Sequence, residues 1–137
     1  MIKYLWRMWR HPSGLFVRNV GINFDLQPMP GRNPEWICGF EIISICPWNR
    51  VINVQLEIRE PPEIMGTEGK LTNLIIRAMS VNMVNPSRFP LSNQAYNYLR
   101  SRNKQSPDFL PIRIMISGRD VKHQGYFSES INYVLQG

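Results

Sequence analysis

The sequence has few of the residues from which metal sites and catalytic sites are built. It contains two histidines, His11 and His123, and two cysteines, Cys38 and Cys46, with no companion pair nearby. A structural zinc site needs four ligands at short characteristic spacings, so we expect no metal ion and no other cofactor. Two cysteines are also too few for a disulfide scaffold. We expect both to be buried thiols in a reducing compartment.

Common motifs of nucleotide binding and nucleophilic catalysis are missing as well. No GxGxxG is present, and "GTEGK" does not have the spacing of a phosphate-binding loop. Asp120, His123 and Ser128 fall close together in "RDVKHQGYFSES", but a polar turn between two elements produces the same letters. We therefore assign no catalytic residues and interpret the protein as non-enzymatic.

Long apolar runs are also absent. Runs such as Leu74–Ile76 are far shorter than the ~20 residues that cross a bilayer. The N-terminus lacks the apolar stretch and small-residue cleavage site of a signal peptide. The apolar content of 43% is too high for a disordered chain, and the length suits one domain. We expect a soluble intracellular protein with a single domain, residues 1–137, in which residues 1–12 form a basic and aromatic segment.

Positive charge is in excess and is unevenly distributed. The formal net charge is +6. Residues 35–68 contain six glutamates against two arginines, whereas residues 69–107 contain six cations and no acid. Arginine outnumbers lysine twelve to four, and guanidinium groups bind phosphate bidentately. This pattern predicts faces of opposite charge, which suit phosphate-bearing partners and head-to-tail association into a homo-oligomer.

Strand signals dominate the chain. "RVINVQLEIRE" alternates strictly, which predicts a strand that buries Ile52, Val54, Leu56 and Ile58 and exposes the polar residues between them. "INFDL", "WICGFEIISI" and "LPIRIMISG" are typical of further strands. "LTNLIIRAMSVNMV" fits a helical face or a strand, and we interpret it as one long strand.

Two helices are predicted in the second half. Ser92 can cap a helix through "NQAYNYLRSRN", with Ala95 and Leu99 facing inward. Ser128 can begin a C-terminal helix that directs Ile131, Val134 and Leu135 toward the core. The order of elements predicts an α+β fold, mainly an antiparallel sheet with a few helices packed on it.

The opening stretch "MIKYLWRMWR" is the first candidate binding site. On a helix its cations form a stripe beside an apolar face, and tryptophans next to arginines are typical of segments that lie at a membrane surface. We predict that Lys3, Trp6, Arg7, Trp9 and Arg10 bind an anionic membrane. The alternative is an ordinary strand or helix whose tryptophans complete the core.

"NPSRFPLSNQAYNYLRSRNKQ" is the second candidate site, because cations alternate there with flat rings. Such a surface suits single-stranded RNA, through phosphate neutralisation and base stacking. The predicted RNA-binding residues are Arg88, Tyr96, Tyr98, Arg100, Arg102 and Lys104. The alternative is a solvated helix with its tyrosines packed inward.

Two pairs of stretches resemble the core of a known family. "INVQLEIRE" followed by "LTNLIIRAMSVNMV" suggests a strand pair, and "FLPIRIMISG" followed by "INYVLQG" suggests a strand and a terminal helix. Together with the basic charge, this layout is similar to the compact matrix proteins of bornaviruses and their rhabdovirus relatives. The family's PPxY motif is absent, since "PPEI" lacks the tyrosine, whereas a YxxL sequence occurs at Tyr96–Leu99.

The resemblance implies a viral structural protein. It implies self-assembly into a lattice, contact with an anionic membrane, and contact with RNA or nucleoprotein. It also implies a place in the host-cell cytoplasm, at the inner face of the membrane and in the virion. Only two alanines stand against seven methionines, a bias that we interpret as a sign of a viral coding history.

Two other functions remain open from the sequence. A viral accessory protein that binds a host protein would use exposed Met, Trp and Pro residues in "LQPMPGRNPEW" as its recognition surface. A small basic RNA-binding module would need neither a membrane nor self-assembly.

Overall fold

The computed structural model describes residues 14–26, 30–105, 110–120 and 126–135. Within these ranges the protein is mainly β, with seven strands, one α-helix and a short 3₁₀ turn at Pro62–Ile64. The strands are β1 (Leu15–Asp25), β2 (Glu35–Ser44), β3 (Arg50–Glu60), β4 (Glu68–Ile76), β5 (Ser80–Pro90), β6 (Leu110–Asp120) and β7 (Tyr126–Leu135). The helix α1 (Asn93–Gln105) lies between β5 and β6.

The strands form two antiparallel sheets. One sheet has the order β1-β2-β5 and the other has the order β4-β3-β6-β7. The inward-facing side chains of both sheets belong to one hydrophobic cluster. The expected antiparallel sheet is therefore present, but as a two-layer arrangement in which strands far outnumber helices.

Because all strand pairs are antiparallel, the chain reverses at two ends of the molecule. Residues 45–49, which join β2 to β3, and residues 77–79, which join β4 to β5, lie together at one end. We name this the Trp48 end, after the tryptophan in the first of these connections. The links from β1 to β2, from β3 to β4 and from β5 to α1 lie at the other end, which we name the acidic end.

The alternating pattern of β3 is confirmed. Its four predicted core residues are at most 2% exposed, namely Ile52, Val54, Leu56 and Ile58. Asn53, Gln55 and Arg59 are exposed and Glu57 is half-buried. β3 pairs with β4 on one side and β6 on the other, so its inward face forms the middle of the core. A one-residue slip would bury charged side chains, which fixes the register of this sheet.

Aromatic residues join the two sheets toward the acidic end. Trp36 of β2 is fully buried, and its Nε1 donates a hydrogen bond to the Glu68 carbonyl of β4 at 3.3 Å. Its ring packs against Phe89 with 5.2 Å between ring centroids. Phe89 in turn occupies the space above Gly69, where a Cβ would lie 2.6 Å from the Phe89 ring. Gly69 thus allows β4 to approach β5 closely.

The predicted helix is confirmed and closes the acidic end of the core. The Ser92 hydroxyl accepts a hydrogen bond from the Ala95 amide at 3.1 Å, as an N-cap does. Ala95 and Leu99 are buried in the same cluster as the sheet residues. Leu91, just before the helix, is buried with them.

An ion pair closes the opposite end of the core. Arg50, at the start of β3, and Asp120, at the end of β6, continue the inward-facing alternation of their strands. Their side chains are 4% and 0% exposed, and the Arg50 Nε donates a hydrogen bond to the Asp120 carboxylate. A charge buried in this way requires its partner, since alone it would lose its solvation without compensation.

Two predictions of secondary structure are wrong. Residues 71–84 are strand rather than helix, as interpreted, but they do not form one long strand, because the chain turns at Arg77–Met79 and passes from β4 in one sheet to β5 in the other. Residues 128–135 are not a helix, because they lie in β7, which pairs antiparallel with β6 from Leu110↔Leu135 to Arg119↔Tyr126. Pairing with β6 takes precedence over the helical spacing of its apolar residues.

The cysteines behave as predicted. Cys38 and Cys46 are free and buried. Burial raises the pKa of the Cys38 thiol to about 12, so this group stays protonated and unreactive at neutral pH.

Replacing Asp120 with Asn should destabilise the protein by about 3–5 kcal/mol, because the buried Arg50 guanidinium would lose its counter-charge. Urea denaturation measures the change. The matched control is Glu60→Gln, which breaks an exposed pair with Arg113 at 3.6 Å and should cost less than about 1 kcal/mol. Equal losses for the two variants would contradict the structural importance of the buried pair.

Candidate functional site

The Trp48 end is built from the two connections that cross between the sheets. The Met79 amide donates to the Cys46 carbonyl at 3.0 Å, and the Ala78 amide donates to Asn49 Oδ1 at 2.8 Å. Asn82 Oδ1 accepts from the Arg77 amide at 2.8 Å. These bonds satisfy the backbone groups of the turn and hold the two connections side by side.

This well-ordered end exposes large apolar side chains. Ile75, Met79 and Trp48 are 72%, 61% and 50% exposed. Val51, which pairs with Ile75, and Val81 extend the apolar surface onto the outer faces of the two sheets. We call Trp48, Val51, Ile75, Met79 and Val81 the apolar end surface. Large exposed apolar side chains that share one end of a molecule are a candidate site of interaction with a membrane or another protein.

Met79 adopts a backbone conformation that does not favour methionine. Its φ is 49°, in the left-handed region where a side chain with a Cβ costs about 1–2 kcal/mol. Its side chain is exposed, so burial does not offset this cost. A strained residue at an exposed tip is typical of a functional position.

Charge is distributed unequally between the two ends. At the Trp48 end, Arg77 and Arg119 are exposed, and neither has an ion pair within the described residues. Of the described acids nearer this end, Asp120 is buried with Arg50, and Glu41 pairs with Arg18 at 2.7 Å. Six further acids lie toward the opposite end: Asp25, Glu35, Glu57, Glu60, Glu63 and Glu68. The apolar end surface is therefore flanked by cations, with most of the described acids far from it.

The predicted membrane-binding residues lie outside the described residues. They are Lys3, Trp6, Arg7, Trp9 and Arg10. The structure does show where this segment is attached. The Gly14 carbonyl accepts a hydrogen bond from the Ile45 amide at 3.0 Å, so the chain enters β1 at the Trp48 end.

The predicted RNA-binding residues lie toward the acidic end, where several have intramolecular partners. Arg88 approaches Asp25 and Glu35 at 3.8 and 3.6 Å. Tyr96 donates from its hydroxyl to the Leu26 carbonyl at 3.2 Å, and its ring packs against the core. Arg100 lies 5.9 Å from the centre of that ring.

The remaining residues of this predicted RNA site add little open surface. Tyr98 is half-buried against the core and Arg102 is half-buried. The Lys104 side chain is outside the described part. The helix thus shows the inward-packed tyrosines of the alternative interpretation, and RNA binding by these residues stays a prediction.

The recognition stretch proposed for a host protein is described only in part, because residues 27–29 lie outside the described ranges. Trp36, its aromatic residue, is fully buried in the core, whereas Pro30 and Arg32 are exposed. Among the described residues, no group of three or more His, Cys, Asp or Glu side chains could hold a metal ion. No helix in the described ranges has the length and apolarity to cross a membrane.

The sequence did contain a signal for the apolar end surface. Trp48 and Met79 lie in short polar connections, "CPWNR" and "IRAMS", where large apolar residues are not required for packing. The signal was missed because residues 71–84 were interpreted as one strand, which hid the turn at Met79.

Replacing Met79 with Gly should raise the free energy of unfolding by about 0.5–1 kcal/mol, because glycine adopts positive φ without strain. Chemical denaturation measures this. The matched control is Met65→Gly, since Met65 is 64% exposed but has a φ of −56°. That variant should lose stability. A loss at both positions would show that the Met79 side chain stabilises the fold.

Comparison with known proteins gives a structural likeness alone. No family model matches the chain, and no curated protein matches it. The fold is similar to that of a solved structure titled "Crystal structure of protein from Archaeoglobus fulgidus", with a TM-score of 0.50 and 9% sequence identity. The likeness covers 89% of this chain and 96% of that chain, so the arrangement of strands occurs in another natural protein.

Proposed function

We propose that this protein is a non-enzymatic structural protein of the viral matrix type. It binds an anionic membrane with its Trp48 end, associates with copies of itself, and connects the membrane to RNA or nucleoprotein. The observation that carries the proposal is the polarity of the molecule. One end exposes apolar side chains beside unpaired cations, and the other end holds six of the described acids.

The difference between the two ends determines which end contacts a bilayer. An anionic surface attracts the exposed cations at the Trp48 end, at about 1 kcal/mol each. The exposed Trp48 side chain is of the type that prefers the membrane interface. The strain at Met79 then has an explanation, since the residue holds an apolar side chain at the outermost tip.

The dimensions agree with insertion of this end. Val51, Ile75 and Val81 lie within about two residues of the strand ends, or about 7 Å at the rise of a strand. Apolar surfaces of interfacial proteins enter the bilayer by roughly 5–10 Å. Insertion to this depth would cover the whole apolar end surface.

Self-association follows from the same charge distribution. Exposed cations at one end and carboxylates at the other allow a head-to-tail contact between copies. Many weak anchors on one assembly give firm attachment, because the effective concentration of each further anchor is high.

The apolar end surface would equally suit a protein partner, which is the basis of the alternative function, a viral accessory protein that binds a host protein. The exposed cations at the Trp48 end favour the anionic membrane, because each is attracted to anionic headgroups by about 1 kcal/mol. The membrane experiment below separates the two functions.

Replacing Met79 with Ser should weaken binding to phosphatidylserine-containing vesicles about five- to thirtyfold, because roughly 1–2 kcal/mol of apolar transfer is lost. Vesicle flotation measures binding. The matched control, Met65→Ser, removes an equally exposed methionine at the acidic end and should leave flotation unchanged.

A second variant tests the N-terminal segment. Replacing Trp6 and Trp9 with Ala should abolish flotation while thermal melting stays unchanged. Collapse of the melting temperature with unchanged flotation would assign these tryptophans to the core. Failure of the wild-type protein to float would contradict the membrane function and favour the protein partner.

Self-association should weaken as ionic strength rises, because salt screens the contact between oppositely charged ends. Sedimentation velocity at low and high salt measures the oligomer distribution. A strict monomer in both conditions, at micromolar concentrations, would contradict the matrix type of function.

A further inference from the structure

A trough lies on the outer face of the four-stranded sheet, next to the apolar end surface. It has a volume of about 330 Å³ and runs across β4, β3 and β6. Lys70 of β4 and Arg119 of β6 form its two sides, and Asn53 of β3 lies between them. This volume is within the range of small-ligand sites.

The two cations of the trough differ from several other cations of the described residues. Arg18, Arg59 and Arg113 each lie within 4 Å of a carboxylate, at 2.7, 3.5 and 3.6 Å. Lys70 and Arg119 have no ion pair or hydrogen bond from their side chains within the described ranges. Both are exposed, so they remain available to an anion from outside.

The strand geometry sets the spacing of these cations. β4 and β6 are separated by β3, so their backbones lie about 10 Å apart, or two strand spacings. Long flexible side chains from both edges can converge on one group above β3. Arg119 pairs directly with Asn53 in the register of β6 and β3.

A bulge in β4 orients a further hydrogen-bond donor toward the trough. The pairing of β3 and β4 shifts between Ile52 and Val54, and Asn73 has a φ of 57° there. The Asn73 amide donates to Asn53 Oδ1 at 3.0 Å, which orients the Asn53 amide. Its Nδ2 hydrogens then have no acceptor in the described structure. The hydroxyls of Thr72 and Ser117 also line the trough.

We propose that this trough binds a phosphate group. Two cations, an amide donor and two hydroxyls surround one space, and this set of donors matches the oxygens of a phosphate ester. Sheet bulges commonly occur beside binding sites, where they redirect a side chain.

The position of the trough identifies the source of the phosphate as a membrane lipid, an inference that rests on the proposed function. Arg119 lies opposite Asn53, about 10 Å from the strand ends by the rise of a strand. With the apolar end surface inserted by about 7 Å, the level of Arg119 and Asn53 falls in the headgroup layer, which is roughly 5–7 Å thick on each side, whereas Lys70, which pairs with Gln55, lies about 7 Å farther from the bilayer. The trough would therefore hold a headgroup while the apolar end surface enters the bilayer.

The test combines vesicle flotation with phosphate titration. Lys70→Gln and Arg119→Gln should each weaken binding to phosphatidylserine-containing vesicles about fivefold, equivalent to about 1 kcal/mol per cation. Arg32→Gln is the matched control, because Arg32 is also exposed and without an ion pair in the described structure, but lies in the connection between β1 and β2 at the acidic end. It should change binding less than twofold.

Titration with inorganic phosphate, followed by amide NMR shifts at matched ionic strength, tests the site without a membrane. The shifts should concentrate at Asn53, Thr72, Ser117 and Arg119, and should disappear in the Lys70→Gln, Arg119→Gln double variant. Shifts spread over all exposed cations, or an equal effect of Arg32→Gln on flotation, would overturn the site.

The two arms separate this inference from the proposed function. If the wild-type protein does not float but phosphate shifts the trough residues, the membrane function fails and the site stands, with free phosphate as its source. If the protein floats while neither variant matters and phosphate causes no local shifts, the site is overturned and the membrane function stands.

Discussion

The buried pair of Arg50 and Asp120 is the constraint on which the Trp48 end depends. The inward-facing alternation of β3 and β6 is apolar until each strand reaches this end, where it places one charge of each sign. Both groups are removed from water, so neither is stable there without the other. A shift of either strand by one residue would separate them. The pair therefore fixes the register of β3 against β6 at the end where the core would otherwise be open.

The geometry of the apolar end surface follows from that register. Arg50 directly follows the Trp48 connection, and Ile76, which pairs with Arg50, directly precedes the turn at Met79. Fixing Arg50 therefore positions both connections, and the bonds from Met79 to Cys46 and from Ala78 to Asn49 join them. The buried ion pair thus fixes the position of the exposed side chains of the apolar end surface. This arrangement is stable only because the backbone groups of the turn are satisfied.

The sequence predicts structure best where one local pattern decides it. The alternation of β3 and the Ser92 cap of the helix are readable because solvent and core impose them on short stretches. β7 was predicted as a helix because Ile131, Val134 and Leu135 also fit a helical face, and its strand state depends on pairing with β6. The turn at Met79 has no Gly or Pro to reveal it. The candidate site combines residues from separate connections and strands, so no local pattern could have assembled it.

The two ends of the molecule cover the hydrophobic core with different kinds of residue. At the acidic end the helix covers the core with Ala95 and Leu99, and the surface there carries carboxylates and their arginine partners. At the Trp48 end an ion pair closes the core, while apolar groups face outward beside two arginines that have no ion pair among the described residues. Stability alone favours neither the exposed side chain of Met79 nor its left-handed backbone. Both features cost free energy in the isolated protein, and both are explained if this end is buried against an anionic, apolar surface.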